Sequence, residues 1–344
     1  MSLLHITNGD CAGDKIRRFV DGAVTITADP LHEGPAPAVD GDAWYDLRAR
    51  FLSNGDERFD AIKAQLAEWD RIILDASRAG NVVLWFEHDL FDQLQLIRTL
   101  DLIGGAHRLR QGYSGPPKLY AEAERTAPQP NAALICIDRF PGVERFVGLG
   151  QLTVEQLATL VGTERRVRSE QYALAAEVWK AFRLPGPREL LEITRSLERD
   201  TTFDFLRDAL LRFFAEYPST ANGLSQTEQF ALDALCEGPM TFGALFAAAQ
   251  AREDRPFLGD TTFFHTLRAL ESARVPLVSL SSSAEELDLR SHLVAVTDAG
   301  REVAAGRSDR VALNGIDLWR GGVRLAGTDS SPWRWDAGGE TLVS

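Results

Sequence analysis

The chain has 344 residues, 44% hydrophobic and 25% charged, with a formal net charge of −13 at pH 7. That length implies two or three domains of ordinary globular composition, and the acidity argues against sequence-independent attraction to nucleic acid or anionic lipid. No apolar run approaches the ~20 residues that span a bilayer, and the start of the chain lacks a signal-peptide pattern. Cys11, Cys136 and Cys236 form no Cys-x-x-Cys pair, so a cytoplasmic location with neither a disulfide framework nor a thiolate zinc site is expected.

In chain order, Leu3 to Thr7 reads as a short strand, and Asn8-Gly9 supplies turn residues before a helix opening near Asp10. Ala23 to Thr27 is a second strand, followed by a loop, Leu31 to Pro37, whose prolines and glycine forbid regular structure. Trp44 to Leu52 reads as helical. Phe59, Ile62, Leu66, Trp69, Ile73 and Ala76 recur at spacings of three and four, the stripe of one amphipathic helix. Val82 to Phe86 is a third strand, Leu90 to Ile103 a helix, and Ala132 to Ile137 a fourth strand. Alternation of this kind predicts a Rossmann-like, flavodoxin-like parallel sheet of order 2-1-3-4, with helices on both faces, over residues 1–150.

From Thr153 to about Tyr217 the pattern is helical, giving a connecting layer over 151–222. Ser225 caps a helix that Gly238-Pro239 stops, and Thr241 to Ala249 and Asp260 to Ala273 are two more. Strand-like Val275 to Leu280 and Leu293 to Thr297 flank a Ser-rich acidic tip, and Asp298 opens another helix. Three helices and a two-stranded hairpin resemble a winged helix, so 223–344 reads as a winged-helix-like α+β domain. Trp319 to Leu325 and Trp333 to Trp335 suggest a terminal β-hairpin packed on it.

The densest chemistry lies where the third strand ends, in Glu87-His88-Asp89. In the expected strand order, Asn8-Gly9-Asp10 and the Asp29 to Pro35 loop flank the same crevice, outside the carboxyl ends of the strands, where α/β sheets bind ligands. Asp10 and Asp89 each begin a helix, so both are also candidate N-caps. His5, His32 and His88, three of only six histidines, fall near strand ends in this region. With Asp10, Asp29, Glu33, Glu87, Asp89 and Asp92 they provide donors for a divalent metal or for acid/base chemistry, although no HxH or HxxxH spacing occurs. Neither a dinucleotide fingerprint nor a P-loop is present. Cys11, in the first turn of a helix, is either a nucleophile or a packing residue. Arg48 and Arg50 sit on the helix after the loop, as anion partners or on a solvated face.

Leu4-His5-Ile6-Thr7-Asn8-Gly9-Asp10, His32-Glu33-Gly34-Pro35 and Trp85-Phe86-Glu87-His88-Asp89-Leu90-Phe91-Asp92-Gln93-Leu94 together resemble the bacterial family called domain of unknown function 1835. The resemblance covers residues 1 to about 140. It implies a shared site across the NGD and EHD motifs and names no substrate; serine is common in that family where Cys11 stands here, which counts against an obligatory thiol nucleophile.

The expectation is therefore a domain that binds, and in its enzymatic version hydrolyses or transfers, a small polar or nucleotide-like ligand. Glu87, His88, Asp89 and Asp10 are the catalytic candidates, with His88 as acid/base and the carboxylates as its orienters or as metal ligands. Asn8, Gly9, Asp29, His32, Glu33, Arg48 and Gln93 are the ligand-binding candidates, and a divalent metal is the one cofactor considered. The alternative is a ligand-sensing regulator whose winged-helix-like domain contacts DNA or a protein partner. Residues 224–310 carry eight arginines and no lysine against thirteen Asp or Glu, which disfavours DNA.

Overall fold

A computed structural model describes residues 3–79, 82–110, 130–199, 202–281, 289–327 and 332–344. The chain forms two compact units, Met1–Ala209 with Gly321–Val323, and Leu210–Arg320 with Arg324–Ser344.

The first unit is built on β1 (Leu4–Thr7), β2 (Ala23–Ile26), β4 (Val82–Glu87), β5 (Ala132–Ile137) and β6 (Arg165–Arg166), in the order β2-β1-β4-β5-β6. A two-residue β3 (Gly34–Pro35) lies in the loop after β2. The pairs β1·β2, β1·β4 and β4·β5 are all parallel, so the four main strands take the order expected from the sequence. All six residues of β4 are buried, which explains its unbroken apolar run: a central strand covered on both faces has no solvent side to alternate toward.

Antiparallel β6 pairs Arg166 with Ala133 and Arg165 with Leu134, making the sheet mixed. This strand corrects the reading of that stretch as helical. Two residues at a sheet edge leave no periodicity for sequence reasoning to detect.

The helices of this unit are α1 (Asp10–Ile16), α2 (Asp42–Ser53), α3 (Phe59–Ala79), α4 (Leu90–Arg110), α5 (Val154–Ala158), α6 (Ser169–Phe182) and α7 (Arg188–Ser196). On α3 the buried line runs through Leu66, Asp70, Ile73 and Ser77, close to the predicted stripe. Asp70 is tolerated there because Arg98 of α4 lies 2.7 Å from it and the Tyr45 hydroxyl donates to it at 3.0 Å. Burial first, and then the Asp70 charge, push the Tyr45 hydroxyl up to about 12. Ile16, Val83, Trp85, Ile135, Leu149 and Leu152 form a shared core between α1, the sheet and the segment after β5.

The second unit contains α9 (Gln226–Cys236), β7 (Met240–Thr241), α10 (Phe242–Ala251), α11 (Asp260–Glu271), β8 (Val278–Ser281), β9 (Leu293–Val296), α12 (Asp298–Ala304) and α13 (Arg310–Asn314); α8 (Leu206–Phe214) precedes them in the chain. Ser225 caps α9 in a reciprocal box with Glu228, as its sequence signature predicts. The small sheet has three strands, β7-β9-β8, all antiparallel. The Ser-rich acidic tip falls on 282–288, outside the described residues. Phe242, Leu245, Phe263, Leu267 and Val294 lie in its core.

Beyond α13, β10 (Ile316–Gly321) neighbours β11 (Val323–Gly327), while β12 (Arg334–Asp336) pairs with β13 (Thr341–Val343). The two Trp-containing segments are therefore not each other's hairpin partners. No helix among the described residues is long and apolar enough to cross a membrane.

Candidate functional site

β1 is flanked by β2 on one side and β4 on the other, so connections leave the sheet in opposite senses at the β1/β4 boundary and open a crevice above it. Asn8-Gly9 ends β1 there, and Glu87 ends β4. Gly9 has φ 75° and is the residue before the first turn of α1, a left-handed backbone that a side chain would strain. Asp10 is thus the first helical residue and exposed, rather than the cap. Asp89, by contrast, does cap its helix: Oδ1 accepts the Asp92 N–H at 3.0 Å.

That cap places Asp89 and Asp92 on one turn, beside Glu87. Their exposures are 5%, 1% and 7% respectively, and one carboxylate oxygen from each lies within 4.8 Å of the others. Asn8 Nδ2 donates to Asp92 Oδ2 at 2.8 Å, which ties the NGD turn to the EHD segment through a residue just outside both motifs. The Leu149 N–H donates to Glu87 Oε1. Asp92 Oδ1 has no hydrogen-bond partner among the described residues.

Three buried acids side by side are electrostatically costly. Burial, then the Asp92 and Asp89 charges, hold Glu87 well above the usual carboxylate range. Burial and the Asp89 charge do the same to Asp92 against the relief given by Asn8 and the Glu87 backbone. Burial pushes Asp89 up to about 7, opposed by N–H bonds from Asp92 and Phe91. The cluster is therefore either largely protonated or charge-balanced by a cation. Oxygen ligands sit about 2.0–2.6 Å from Mg2+ or Ca2+, so two on opposite sides are about 4–5 Å apart; the triad's spacing fits that sphere.

Two structural features hold the triad in place. Gln93 is buried, its Nε2 donating to the Glu87 carbonyl at 2.6 Å, so it positions the strand–helix turn. Gly148 has φ 150°, and a Cβ there would run into the Glu87 carboxylate; the close approach requires glycine.

The remaining candidates are placed elsewhere. The next residue after Glu87 projects to the other side of the extended chain, and His88 packs on Phe146 at 5.8 Å and Phe205 at 6.1 Å, outside the triad. Arg48, read from sequence as an anion partner, is fully buried. Its Nε lies 3.1 Å from both Asp29 oxygens, and Nη1 and Nη2 donate to the carbonyls of Glu33, Pro35 and Pro30. Arg48 and Asp29 thus organise the loop after β2. His32 packs on Phe91 at 5.6 Å and lies 3.7 Å from Glu33. Gln95 donates to the Asp29 carbonyl, so the loop meets α4 next to the triad without joining it. His5 accepts the Trp85 indole N–H at 3.0 Å, and burial lowers its pKa; it is a core residue.

Sequence reasoning counted Asp92 as a donor but did not choose it; its spacing of three from a helix cap was the available signal. It missed a cleft of about 650 Å3 along β5, lined by Cys136, Arg165, Arg166 and Arg168 among others. Cys136 links cleft and triad, its Sγ lying 3.4 Å from the Glu87 carbonyl. Burial, with the Asp92 charge next, pushes the Cys136 thiol far up, so it is no thiolate.

Neither a scan against protein-family models nor a search of curated proteins finds a match to this chain, and nothing in them bears on the resemblance to domain of unknown function 1835.

Proposed function

We propose that the first unit binds a divalent cation between Glu87, Asp89 and Asp92, and through it a small polar or nucleotide-like ligand at the β1/β4 crevice. The observation that carries this reading is the buried triad itself, with its oxygens at ligating separations and Asp92 Oδ1 left without a partner. A hard cation would balance the three charges and occupy a position that no donor among the described residues fills. Asn8 would orient Asp92, and the Leu149 N–H would orient Glu87. The ion, when bound, would supply Lewis-acid polarisation of a ligand oxygen. His88 would serve as an acid/base only toward a ligand on the Phe146–Phe205 side.

Thermal unfolding of EDTA-treated protein titrated with MgCl2 or MnCl2 tests this. A saturating rise in Tm is expected, worth about 2.7 kcal/mol at a hundredfold excess over Kd, and absent from Asp92→Asn. A Tm indifferent to both cations sinks the reading.

For the second unit, the order helix–strand–helix–helix–strand–strand and the sheet β7-β9-β8 support a winged-helix reading of 226–296. Arg268 is paired with Glu271, and Arg290 with Asp260. With those charges neutralised, a protein partner suits this unit better than DNA.

A further inference from the structure

The cleft along β5 has features that the carboxylate triad does not explain. Arg165, Arg166 and Arg168 are exposed on its rim, and none forms an ion pair among the described residues. Exposed arginines elsewhere, such as Arg17, Arg71, Arg139, Arg307 and Arg324, each hold a carboxylate. Among the described residues of the lining, Asp204 is the one acid. In a chain of net charge −13, three neighbouring guanidinium groups therefore make a local positive field that an anion would relieve.

The placement follows from the fold. β6 pairs with β5 only at Ala133 and Leu134, and among the described residues no strand continues that edge along Ile135–Ile137. Val167 is buried, which pins the short run while the arginines on either side project outward. The floor is apolar, with Leu134, Ile137 and Leu160. The volume of about 650 Å3 lies within the ~300–1,000 Å3 of small-molecule sites. Guanidinium forks match phosphate oxygens in bidentate geometry, and an apolar floor suits a flat ring.

We propose that this cleft binds a nucleoside polyphosphate, with Arg165, Arg166 and Arg168 on the phosphates and Leu134, Ile137 and Leu160 beneath the base. The inference goes beyond the reading above, and the arginine contacts stand independently of the triad's cation. Cys136 lines the cleft and touches the Glu87 carbonyl, but the arginine run passes from Leu134 towards Ala132, away from the Glu87 end of the sheet, so the cleft and the triad are separate sites.

The test is calorimetric titration of ADP into the full chain, in EDTA and in MgCl2, with Arg165→Gln/Arg166→Gln/Arg168→Gln and the single Arg166→Gln alongside. The arginines are exposed, so their loss leaves core packing unchanged, and the single variant guards against a folding defect in the triple. Saturable binding to the wild type is expected, weakened about tenfold or more in Arg166→Gln and further in the triple variant. No saturable ADP binding, unchanged affinity in the variants, or binding of poly-glutamate in place of ADP would each overturn the cleft assignment. Arginine-dependent ADP binding supports the cleft assignment with or without a cation effect. Mn2+ binding without ADP binding overturns the cleft assignment and leaves the triad reading intact.

Discussion

In metal-free protein the triad should make stability fall as pH rises through neutrality. Asp89 ordinarily titrates near 3.8 and in the folded chain near 7. Between those values the native state carries a proton that the unfolded state has lost, so unfolding becomes easier with increasing pH. At about 1.4 kcal/mol per pH unit, Asp89 alone accounts for on the order of 4 kcal/mol, present at acid pH and gone above neutrality. Glu87 and Asp92, also raised, act in the same direction. Asp101, pushed by burial to about 6, adds to the early part of the decline. His5 has the opposite sign: its lowered pKa gives stability that is lost as pH falls below its ordinary 6.5. Urea unfolding in EDTA from about pH 6.5 to pH 8.5 therefore isolates the triad: the end of the Asp89 titration contributes a loss of about 1 kcal/mol there, and Glu87 and Asp92 add to it in the same direction. MgCl2 should flatten the profile, and Asp92→Asn should shallow it by removing one acid and one repelling charge. A metal-free profile that is level or rising, or an Asp92→Asn slope equal to wild type, would refute the electrostatic account.

Other expectations follow from particular contacts. Arg48→Met strands the buried Asp29 carboxylate and should cost about 3–5 kcal/mol in urea unfolding, with Asp29→Asn/Arg48→Met recovering part; a cost under 1 kcal/mol would contradict a structural pair. Gly148→Ala drives a methyl into Glu87 and should cost about 1–3 kcal/mol while weakening Mn2+ binding; wild-type affinity would show that Glu87 is not a ligand. His88→Ala should retain Mn2+ affinity within about twofold, since the ring packs on Phe146 and Phe205 rather than with the triad; loss of Mn2+ binding with the fold intact would contradict that placement. Arg212→Met, in the second unit, removes the guanidinium that bridges buried Glu216 and Glu253 and leaves Glu216 with Arg320 at 3.7 Å; it should cost about 3 kcal/mol by denaturant titration.

The parallel sheet was legible because β4 is apolar throughout and α3 carries an even stripe, signals that period and length make strong. Convergence of Asn8 with the EHD segment was also legible, since strand order alone brings the ends of β1 and β4 together. The partners within the crevice were not. Which of Glu87, His88, Asp89 and Asp92 face one another depends on the turn after β4 and on the Asp89 cap, where a one-residue difference reverses a side chain. Arg48 illustrates the same limit: its sequence position suits an anion contact equally well, and only the Asp29 loop closing over it shows that its donors are taken. The arginines of β6 escaped notice because a two-residue edge strand has no pattern of its own.

The most direct test of the central claim is Mn2+ binding followed by electron paramagnetic resonance, comparing wild type with Asp92→Asn and Glu87→Gln. One tightly bound ion per chain in the wild type, lost or weakened at least about tenfold in both variants, is the predicted result. No bound Mn2+ in the wild type, or equal binding by all three proteins, would contradict it.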